Sequence, residues 1–330
     1  MKHLKTWKLI HQSLIQKIPV MLLYVLESKG SSPGRQGFFM AVNLAGEMEG
    51  SIGGGIMEHK FVEMARETLR HFDRLSAQGD KTQKTDIRKQ YHDKLAAKDQ
   101  SGMICSGEQT ILLHKVKEAE EENIQQIIAS LEANKNETLV LSPGKLNFEH
   151  ISPGKHIEFT FLSEDDWLYK EKTGYKYRLS IIGGGHCSLA LSRLMRSLDF
   201  YICVYDDRKE LNTMMENDTA HEKHFIPDYT VLKDLIKEGD EHYVVVMTFG
   251  YRTDDTALRS LLFKDFKYMG LLGSQHKSDK LFEDYRAQGV PEERLQRIQT
   301  PAGLAIKSQS PEEIAVSIAA QIIQVKNQDT

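Results

Sequence analysis

Two glycine-rich turns, each placed where a helix begins, most constrain how this chain folds. The first lies in GSIGGGIMEHKF, Gly50–Phe61, and the second in LSIIGGGHCSLAL, Leu179–Leu191. A helix N-terminus exposes unpaired backbone N–H groups and the positive end of its dipole, so both turns favour an anionic ligand. The pair predicts two anionic ligands, or one large ligand held by both halves of the chain.

The second turn lies in a sequence typical of a nucleotide-binding βαβ unit. Leu179–Ile182 predicts a buried parallel strand, three glycines form the turn, and apolar residues at helical spacing follow. The next strand ends in Asp206 and Asp207, where such a unit places its ribose-binding carboxylate. The sequence therefore predicts a Rossmann-like unit with five candidate ligand residues: Gly183, Gly185, His186, Asp206 and Asp207.

Ser188 stands where the full dinucleotide fingerprint has its third glycine. Serine is small enough for close packing of helix on strand, so the fold is compatible with this change. The ligand of the turn stays open: NAD(P), another nucleotide, or none, in which case the unit is a scaffold.

Composition limits the classes of function. A net charge of −4 and a pI near 6.4 argue against a general nucleic-acid binder. The longest apolar stretch, Val20–Leu26, is far too short to span a bilayer, and His11 and Gln12 interrupt any signal-peptide core. We expect a cytoplasmic protein that binds neither membrane nor nucleic acid.

The fold class predicted from these patterns is α/β, with two domains. Residues 1–165 form an N-terminal α/β domain with an exposed polar insertion at about 73–100, and residues 166–177 form a linker. Residues 178–330 form the Rossmann-like domain with its parallel sheet. Its last helix begins with Ser310 as the cap and Pro311 at the first helical position.

Three cysteines, Cys105, Cys187 and Cys203, limit the metal chemistry. No C-x-x-C pair occurs, and three thiols cannot supply the usual four ligands of an iron–sulfur cluster. Cys203 lies in a predicted strand as a core residue, and Cys187 is expected to pack at a helix start.

In combination, several segments resemble the xanthine dehydrogenase accessory factor family, over nearly the whole chain except residues 73–100 and the linker. These segments are GSSPGRQGFFMAV, GSIGGGIMEHK, GMICSGEQTILL, CVYDDR, YMGLLGSQHK and TPAGLAIKSQSPEEIAVSIAAQII. The chain departs from the family pattern in two loops. The family often has arginine directly after Ser-Ser-Pro, whereas here Gly34 stands between the proline and Arg35. The family often has two glycines after the cysteine, whereas here Cys105 is followed by Ser106 and Gly107.

The resemblance implies a protein that binds the molybdenum cofactor, keeps it sulfurated and delivers it to xanthine dehydrogenase in purine catabolism. Implied partners are the catalytic subunits of that enzyme, a cysteine desulfurase and a second copy of the chain. We expect no independent turnover. The implied cofactor-binding residues are Ser31, Ser32, Arg35, Gly53, Gly54, Gly55, Glu58 and Cys105, the last as a candidate molybdenum ligand or sulfur carrier.

Structural alternatives stand beside these roles. Gly53–Gly55 can form a tight turn without a ligand, Glu58 can oppose the helix dipole, and Cys105 can be a buried loop cysteine. At the level of function, the alternatives are a free-standing NAD(P)-dependent oxidoreductase and a purely structural interaction protein.

Overall fold

The computed structural model describes residues 3–77, 86–91, 107–152 and 154–328. The chain divides into two compact units, Met1–Gly174 (unit 1) and Tyr175–Thr330 (unit 2). Among these described residues, no helix has both the length and the apolar character needed to cross a membrane.

Unit 1 combines three helices with two antiparallel sheets in its described residues. Its elements are α1 (Leu4–Ile15), β1 (Val20–Gly30), β2 (Phe39–Asn43), β3 (Met48–Gly50), α2 (Gly55–Ala77), β4 (Asp86–Tyr91), β5 (Gly107–Lys115), α3 (Glu121–Glu132), β6 (Thr138–Ser142), β7 (Lys145–Glu149), β8 (Ile157–Ser163) and β9 (Asp166–Lys172). A 3-10 turn at Glu118–Glu120 precedes α3.

The first sheet of unit 1 has the strand order β3-β2-β1-β5-β4 and is covered on both faces. Met21, Leu23 and Val25 of β1 pack with apolar residues of α2. Leu22 and Tyr24, which point to the opposite face, pack with α1, α3 and the second sheet. Because successive side chains of a strand alternate between faces, burial on both sides explains the unbroken apolar run of β1.

The second sheet of unit 1, β7-β6-β9-β8, corrects the predicted linker at 166–177. This segment forms β9 and the start of β10 instead. Trp167 and Tyr169 of β9 are buried while Asp166 and Leu168 are exposed, which is strand alternation. The charged outer face of β9 resembles a linker in sequence, whereas its two inward aromatic rings belong to the core.

The predicted polar insertion at 73–100 is partly ordered structure. Residues 73–77 continue α2, and β4 pairs with β5 at the edge of the first sheet. Charged residues in β4 suit an edge strand, since they oppose pairing with another chain. The rest of the insertion lies outside the described residues.

Unit 2 is an α/β unit with a parallel six-stranded sheet. Its elements are β10 (Tyr177–Ile182), α4 (His186–Ser197), β11 (Phe200–Asp206), α5 (Asn212–Met215), β12 (Glu222–Phe225), α6 (Leu232–Leu235), β13 (Gly239–Val246), α7 (Tyr251–Leu261), β14 (Phe266–Leu271), α8 (Gln275–Ala287), α9 (Glu292–Gln296), β15 (Ile298–Gln299) and α10 (Pro311–Asn327). A 3-10 turn at Tyr229–Val231 precedes α6.

The strand order β12-β11-β10-β13-β14-β15 confirms the Rossmann-like topology of unit 2. Helices α4 and α10 cover one face, and α7 and α8 cover the other. Ser310 caps α10 by accepting from the Glu313 N–H at 3.2 Å, and Pro311 occupies the first helical position as predicted. The strand order changes direction between β10 and β13, and the second glycine turn follows β10.

Candidate functional site

The serine loop, Ser31–Gly37, packs backbone to backbone on the first glycine turn, Gly53–Gly55. A Cβ on Gly53 would lie 2.5 Å from the Gly34 nitrogen, and a Cβ on Gly34 would overlap the carbonyl oxygen of Ile52. Gly34, which departs from the family pattern, is therefore needed for this contact. Two segments that the sequence assigned to one site are neighbours in the structure.

A buried glutamine joins these two segments. Gln109 is 1% exposed, and its Nε2 donates to the carbonyl oxygens of Gly34 at 2.7 Å and Ile52 at 3.4 Å. Gly107 also has no room for a side chain, since a Cβ there would lie 2.8 Å from the Ser32 nitrogen. Sequence analysis missed Gln109, because its role depends on two carbonyl groups that are far away in the sequence.

Glu58 holds the first glycine turn in place. Its Oε2 accepts hydrogen bonds from the Ser51 hydroxyl at 2.6 Å and from the N–H groups of Ile52 and Gly54, both at 2.9 Å. The Ser51 oxygen accepts from the Gly53 N–H at 3.1 Å. The N–H groups of Gly53 and Gly54 thus already have acceptors, which corrects the expectation that this turn offers them unpaired to an anionic ligand.

The outer side of this turn remains open. Gly54 has a φ of +75°, and a Cβ there would meet nothing within 4 Å. Gly55, at a φ of 69°, begins α2. The start of this 23-residue helix, rather than the turn before it, is therefore where unit 1 can offer helix-dipole stabilisation to an anion.

The three predicted site residues of the serine loop divide into two kinds. Ser32 is buried, and its hydroxyl donates to the Gly34 carbonyl at 3.0 Å, which is a structural role. Ser31 and Arg35 are exposed, and Arg35 donates to the Gly30 carbonyl at 3.2 Å. Ser31 and Arg35 are thus the predicted site residues of this loop that a ligand can reach.

A carboxylate with two tyrosines supports the end of the serine loop. The hydroxyls of Tyr24 and Tyr169 each donate to Oε2 of Glu171 at 2.5 Å. A Cβ on Gly37 would lie 2.8 Å from Oε1 of the same carboxylate. Burial raises the pKa of both tyrosines well above the ordinary value, and the neighbouring carboxylate adds to this shift. These phenols therefore remain neutral hydrogen-bond donors.

The cysteine predictions have different outcomes. Cys203 is buried as expected, and burial raises the pKa of its thiol to about 12. Cys187 is half-buried, and burial raises its pKa as well. Cys105, with its predicted role toward molybdenum, lies outside the described residues. Within the described ranges, no group of three or more His, Cys, Asp or Glu residues could hold a metal ion.

Asp206 holds the second glycine turn, Gly183–Gly185, in place. Its side chain is fully buried; Oδ2 accepts from the Gly184 N–H at 2.7 Å, and Oδ1 accepts from the Arg208 backbone N–H at 2.8 Å. The Arg208 guanidinium donates to both oxygens, at 2.9 and 2.8 Å. This carboxylate is fully engaged within the chain, so its geometry does not favour the direct ribose contact predicted from the sequence.

The pKa of Asp206 reflects these contacts. Burial raises it, but the hydrogen bonds from Arg208 and Gly184 outweigh burial and hold it below the usual value of 3.8. Asp206 is therefore an ionised anchor for the turn.

The other residues predicted around the second turn lie at the same edge of the sheet. Asp207 and His186 are exposed, and Asp207 accepts from the Tyr229 hydroxyl at 3.1 Å. A Cβ on Gly183 would overlap the Met247 carbonyl oxygen, whereas one on Gly185 would meet nothing within 4 Å. The turn is closed toward β13 and open at the start of α4.

A second buried aspartate at this edge was missed by sequence analysis. Asp254 is fully buried, and its Oδ1 accepts from the backbone N–H of Thr248 at 3.0 Å and from its hydroxyl at 2.6 Å. Its Oδ2 accepts from the Lys277 ammonium. Asp206 thus fixes two loop amides and Asp254 fixes one, and each also holds one basic side chain. An acidic residue at the start of a predicted helix is too common a pattern to have revealed the pair.

Comparison with known proteins finds a family match within each unit. Residues 179–322 match the XdhC Rossmann domain, and residues 14–75 match the XdhC and CoxI family. The chain is 24% identical to uncharacterized protein YqeB of Escherichia coli (strain K12), over 94% of this chain but only 44% of that protein. It thus spans less than half the length of that relative.

Two further relatives cover nearly the whole chain. A probable xanthine dehydrogenase subunit of Bacillus subtilis (strain 168) is 22% identical over 93% of both chains. A crystal structure of a xanthine dehydrogenase from Bacillus halodurans superposes with a TM-score of 0.71 at 23% identity, over 100% of this chain and 97% of the other. At that identity, the likeness to the solved structure supports the fold.

Proposed function

The chain carries two domains of the XdhC family, and from this we propose that it is an accessory protein of a xanthine dehydrogenase-type molybdenum hydroxylase. In this proposal it binds the molybdenum cofactor in unit 1 and delivers it to the catalytic subunits. The name of the Bacillus subtilis relative, which covers this chain almost end to end, supports the choice of partner.

The observation that carries the proposal is the packing of the serine loop on the first glycine turn. Both segments lie within the matched residues 14–75. Gln109 bonds to the backbone of each, so their relative position is fixed before any ligand arrives. Such preorganisation reduces the entropy lost on binding.

The residues at this place fit a phosphorylated pterin in part. Arg35 and Ser31 are exposed donors of the serine loop, whose Gly34 packs on Gly53 of the first glycine turn, and the backbone of the next residue, Gly54, is open. When bound, the cofactor supplies a phosphate, pterin amines and a soft metal centre. In our proposal Arg35 and the first turn of α2 bind the phosphate, Ser31 donates to the pterin, and Glu58 keeps the turn rigid.

Cofactor retention tests the proposal. The full chain, produced in cells that make molybdenum cofactor, is analysed for bound pterin by fluorescence after acid oxidation and for molybdenum by mass spectrometry. Replacing Arg35 with alanine should lower pterin per chain about tenfold, the effect of losing a charge-assisted hydrogen bond. Lys145→Ala, which removes another exposed cation of unit 1, is the matched control and should retain the cofactor.

Two outcomes count against cofactor binding. One is a parent chain that carries no pterin from cells proven to make it, and the other is equal retention in the Arg35 and Lys145 variants. Delivery is tested separately. The chain carrying the cofactor should restore urate formation to cofactor-free xanthine dehydrogenase, while it should form no urate alone. Urate formation by the chain alone would contradict an accessory role.

Cys105 is tested in the same assay. In our proposal its thiolate contacts the metal or carries sulfur, since a thiolate is a soft ligand. Cys105→Ser keeps the size and removes the sulfur, so molybdenum per chain should fall while the thermal transition is unchanged. Cys187→Ser is the matched control. Unchanged molybdenum in the Cys105 variant would assign that thiol a structural role.

A further inference from the structure

The two loops that flank the second glycine turn border the ligand crevice expected from the strand order of unit 2. In open α/β sheets, ligands bind beyond the carboxyl ends of the strands, where the strand order changes direction. Here that point lies between β10 and β13, with β11 on the other side of β10. The segments at this point are the second glycine turn, Asp206–Arg208 after β11, and Met247–Gly250 after β13.

Phe249 is held outward at this point. It is 86% exposed, the most exposed large apolar side chain among the described residues. Its neighbours are fixed on both sides: the Thr248 N–H donates to Asp254 at 3.0 Å, and the Gly250 N–H donates to the Thr253 hydroxyl at 3.1 Å. A loop anchored in this way gives the exposed ring a defined position, as a stacking surface for a planar ligand requires.

Arg208 connects Phe249 to the glycine turn. Its guanidinium carbon lies 5.7 Å from the centre of the Phe249 ring. The same guanidinium is bonded to Asp206, which also accepts from the Gly184 N–H at 2.7 Å. The aromatic ring, the cation and the glycine turn therefore form one corner of the crevice.

Asp207 is the carboxylate of this corner that a ligand can reach. Asp206 is fully buried beneath the turn, whereas the adjacent Asp207 is exposed and held by the Tyr229 hydroxyl at 3.1 Å. A carboxylate at the end of the second strand of such a unit accepts from ribose hydroxyls. Among the charges that contacts hold at this corner, two carboxylates face one guanidinium, and this balance disfavours an additional phosphate on the ribose.

We infer that this crevice binds an adenine nucleotide whose ribose 2′-hydroxyl is free. The base stacks on Phe249, the ribose hydroxyls donate to Asp207, and the phosphates face the second glycine turn and the start of α4. The inference concerns unit 2 alone and does not depend on cofactor binding by unit 1. It replaces Asp206 with Asp207 as the ribose acceptor and adds Phe249, which the sequence analysis did not select.

Titration of the full chain with NADH and NADPH, followed by nicotinamide fluorescence, tests this inference. NADH should bind more tightly than NADPH, and 5′-AMP should displace it, since the contacts lie on the adenosine half. Phe249→Ala should weaken NADH binding roughly five- to 150-fold, the range for loss of one stacked base. Phe263→Ala, which removes another exposed phenylalanine of unit 2 beyond the end of α7, should leave binding unchanged.

Asp207→Asn separates the ribose contact from the stacking contact. It should reduce the preference for NADH over NADPH by about tenfold, because a charged acceptor is lost and the repulsion of the 2′-phosphate falls. Absence of NADH binding at millimolar concentration, or equal affinity in the parent and Phe249 variant, would overturn the inference. NADPH binding as tight as NADH in the parent chain would overturn the role of Asp207.

Discussion

In both glycine turns a carboxylate holds the backbone, but the carboxylate comes from a different part of the chain in each. In each, a carboxylate accepts the N–H of the second glycine: Glu58 for Gly54 at 2.9 Å, and Asp206 for Gly184 at 2.7 Å. Glu58 lies four residues further along the chain, in the first turn of α2, and is half-exposed. Asp206 lies on a neighbouring strand and is fully buried with Arg208.

In the local solution, the carboxylate that holds the turn is a near neighbour in the sequence. In the tertiary solution, it lies on another strand. The N–H groups of the first turn bond to nearby residues of the chain, Ser51 and Glu58, so these hydrogen bonds form when α2 forms. The second turn is fixed only when β10 and β11 pair, because its carboxylate is on another strand. Removing the buried carboxylate should therefore affect folding more than removing the exposed one.

The largest expected effect comes from adding a side chain in the close contact between the serine loop and the first glycine turn. Gly34→Ala places a Cβ against the Ile52 carbonyl oxygen, so the free energy of unfolding of unit 1 should fall by about 3 kcal/mol. Both tryptophans of the chain, Trp7 and Trp167, lie in unit 1, so tryptophan fluorescence during urea unfolding reports this unit.

Gly154→Ala is the matched control for that change, because a Cβ there meets nothing within 4 Å. Coincident urea midpoints for the Gly34 and Gly154 variants would contradict the close contact between the serine loop and the first glycine turn.

A smaller but still large effect is expected at the second turn. Asp206→Asn replaces one carboxylate oxygen with an NH₂ group, which then faces donors that have lost their acceptor. The free energy of unfolding of unit 2 should therefore fall by about 2–3 kcal/mol, the range for hydrogen bonds to a buried charge. Far-UV circular dichroism should show an earlier transition while the tryptophan transition keeps its midpoint. A shift of the tryptophan transition instead would mean that the effect is not confined to unit 2.

A pH-dependent effect of intermediate size is expected in unit 1, at Glu120. Burial raises the pKa of Glu120, but bonds from His114 and from the N–H groups of Lys117 and Leu146 outweigh it and lower the pKa below 4.5. The ionised carboxylate therefore stabilises unit 1 above pH 4.5, and this stability is lost as pH falls through the lowered value.

Glu120→Gln should accordingly remove about 1–2 kcal/mol at pH 7 and flatten the acid limb of the stability profile, measured by tryptophan fluorescence. A variant whose stability falls as steeply with acid as that of the parent would show that another group controls the acid limb.

The smallest effect is expected for Glu58→Gln. The amide oxygen can still accept from the turn, and solvent reaches the site, so unit 1 should lose about 0.5–1 kcal/mol. The ratio of this loss to that of Asp206→Asn measures the difference between the two turns directly. Losses of equal size would contradict the distinction between the local and the tertiary solution.

Sequence reasoning reached the elements and the strand-end positions but not the directions of side chains. The spacing from Gly183 to Asp206 predicted a carboxylate at the end of β11, and the structure has one there. Spacing alone could not show that this side chain turns under the glycine turn while Asp207 faces outward. That choice depends on Arg208 and on the Gly184 N–H, which are tertiary contacts.

The same limit explains the missed elements. β9 was predicted as a linker because its charged residues outnumber the inward-facing Trp167 and Tyr169, whose partners lie in distant strands. Gln109 carries no pattern of its own, since its role is defined by two carbonyl groups far away in sequence. Local patterns identify elements, whereas long-range polar contacts assemble the candidate site.

The two tyrosines that share the Glu171 carboxylate give unit 1 a spectroscopic marker. Both phenols have a pKa raised well above the ordinary value of 10.0, so they stay colourless near 295 nm in alkali that ionises exposed tyrosines. Buried tyrosines of unit 2, such as Tyr205 and Tyr268, also have a raised pKa. The marker of unit 1 is therefore the part of the delayed absorbance step that coincides with the red shift of the tryptophan emission and is lost when Tyr24 and Tyr169 are replaced by phenylalanine. An alkaline titration by ultraviolet absorbance would therefore follow the loss of support beneath the serine loop without any label or ligand.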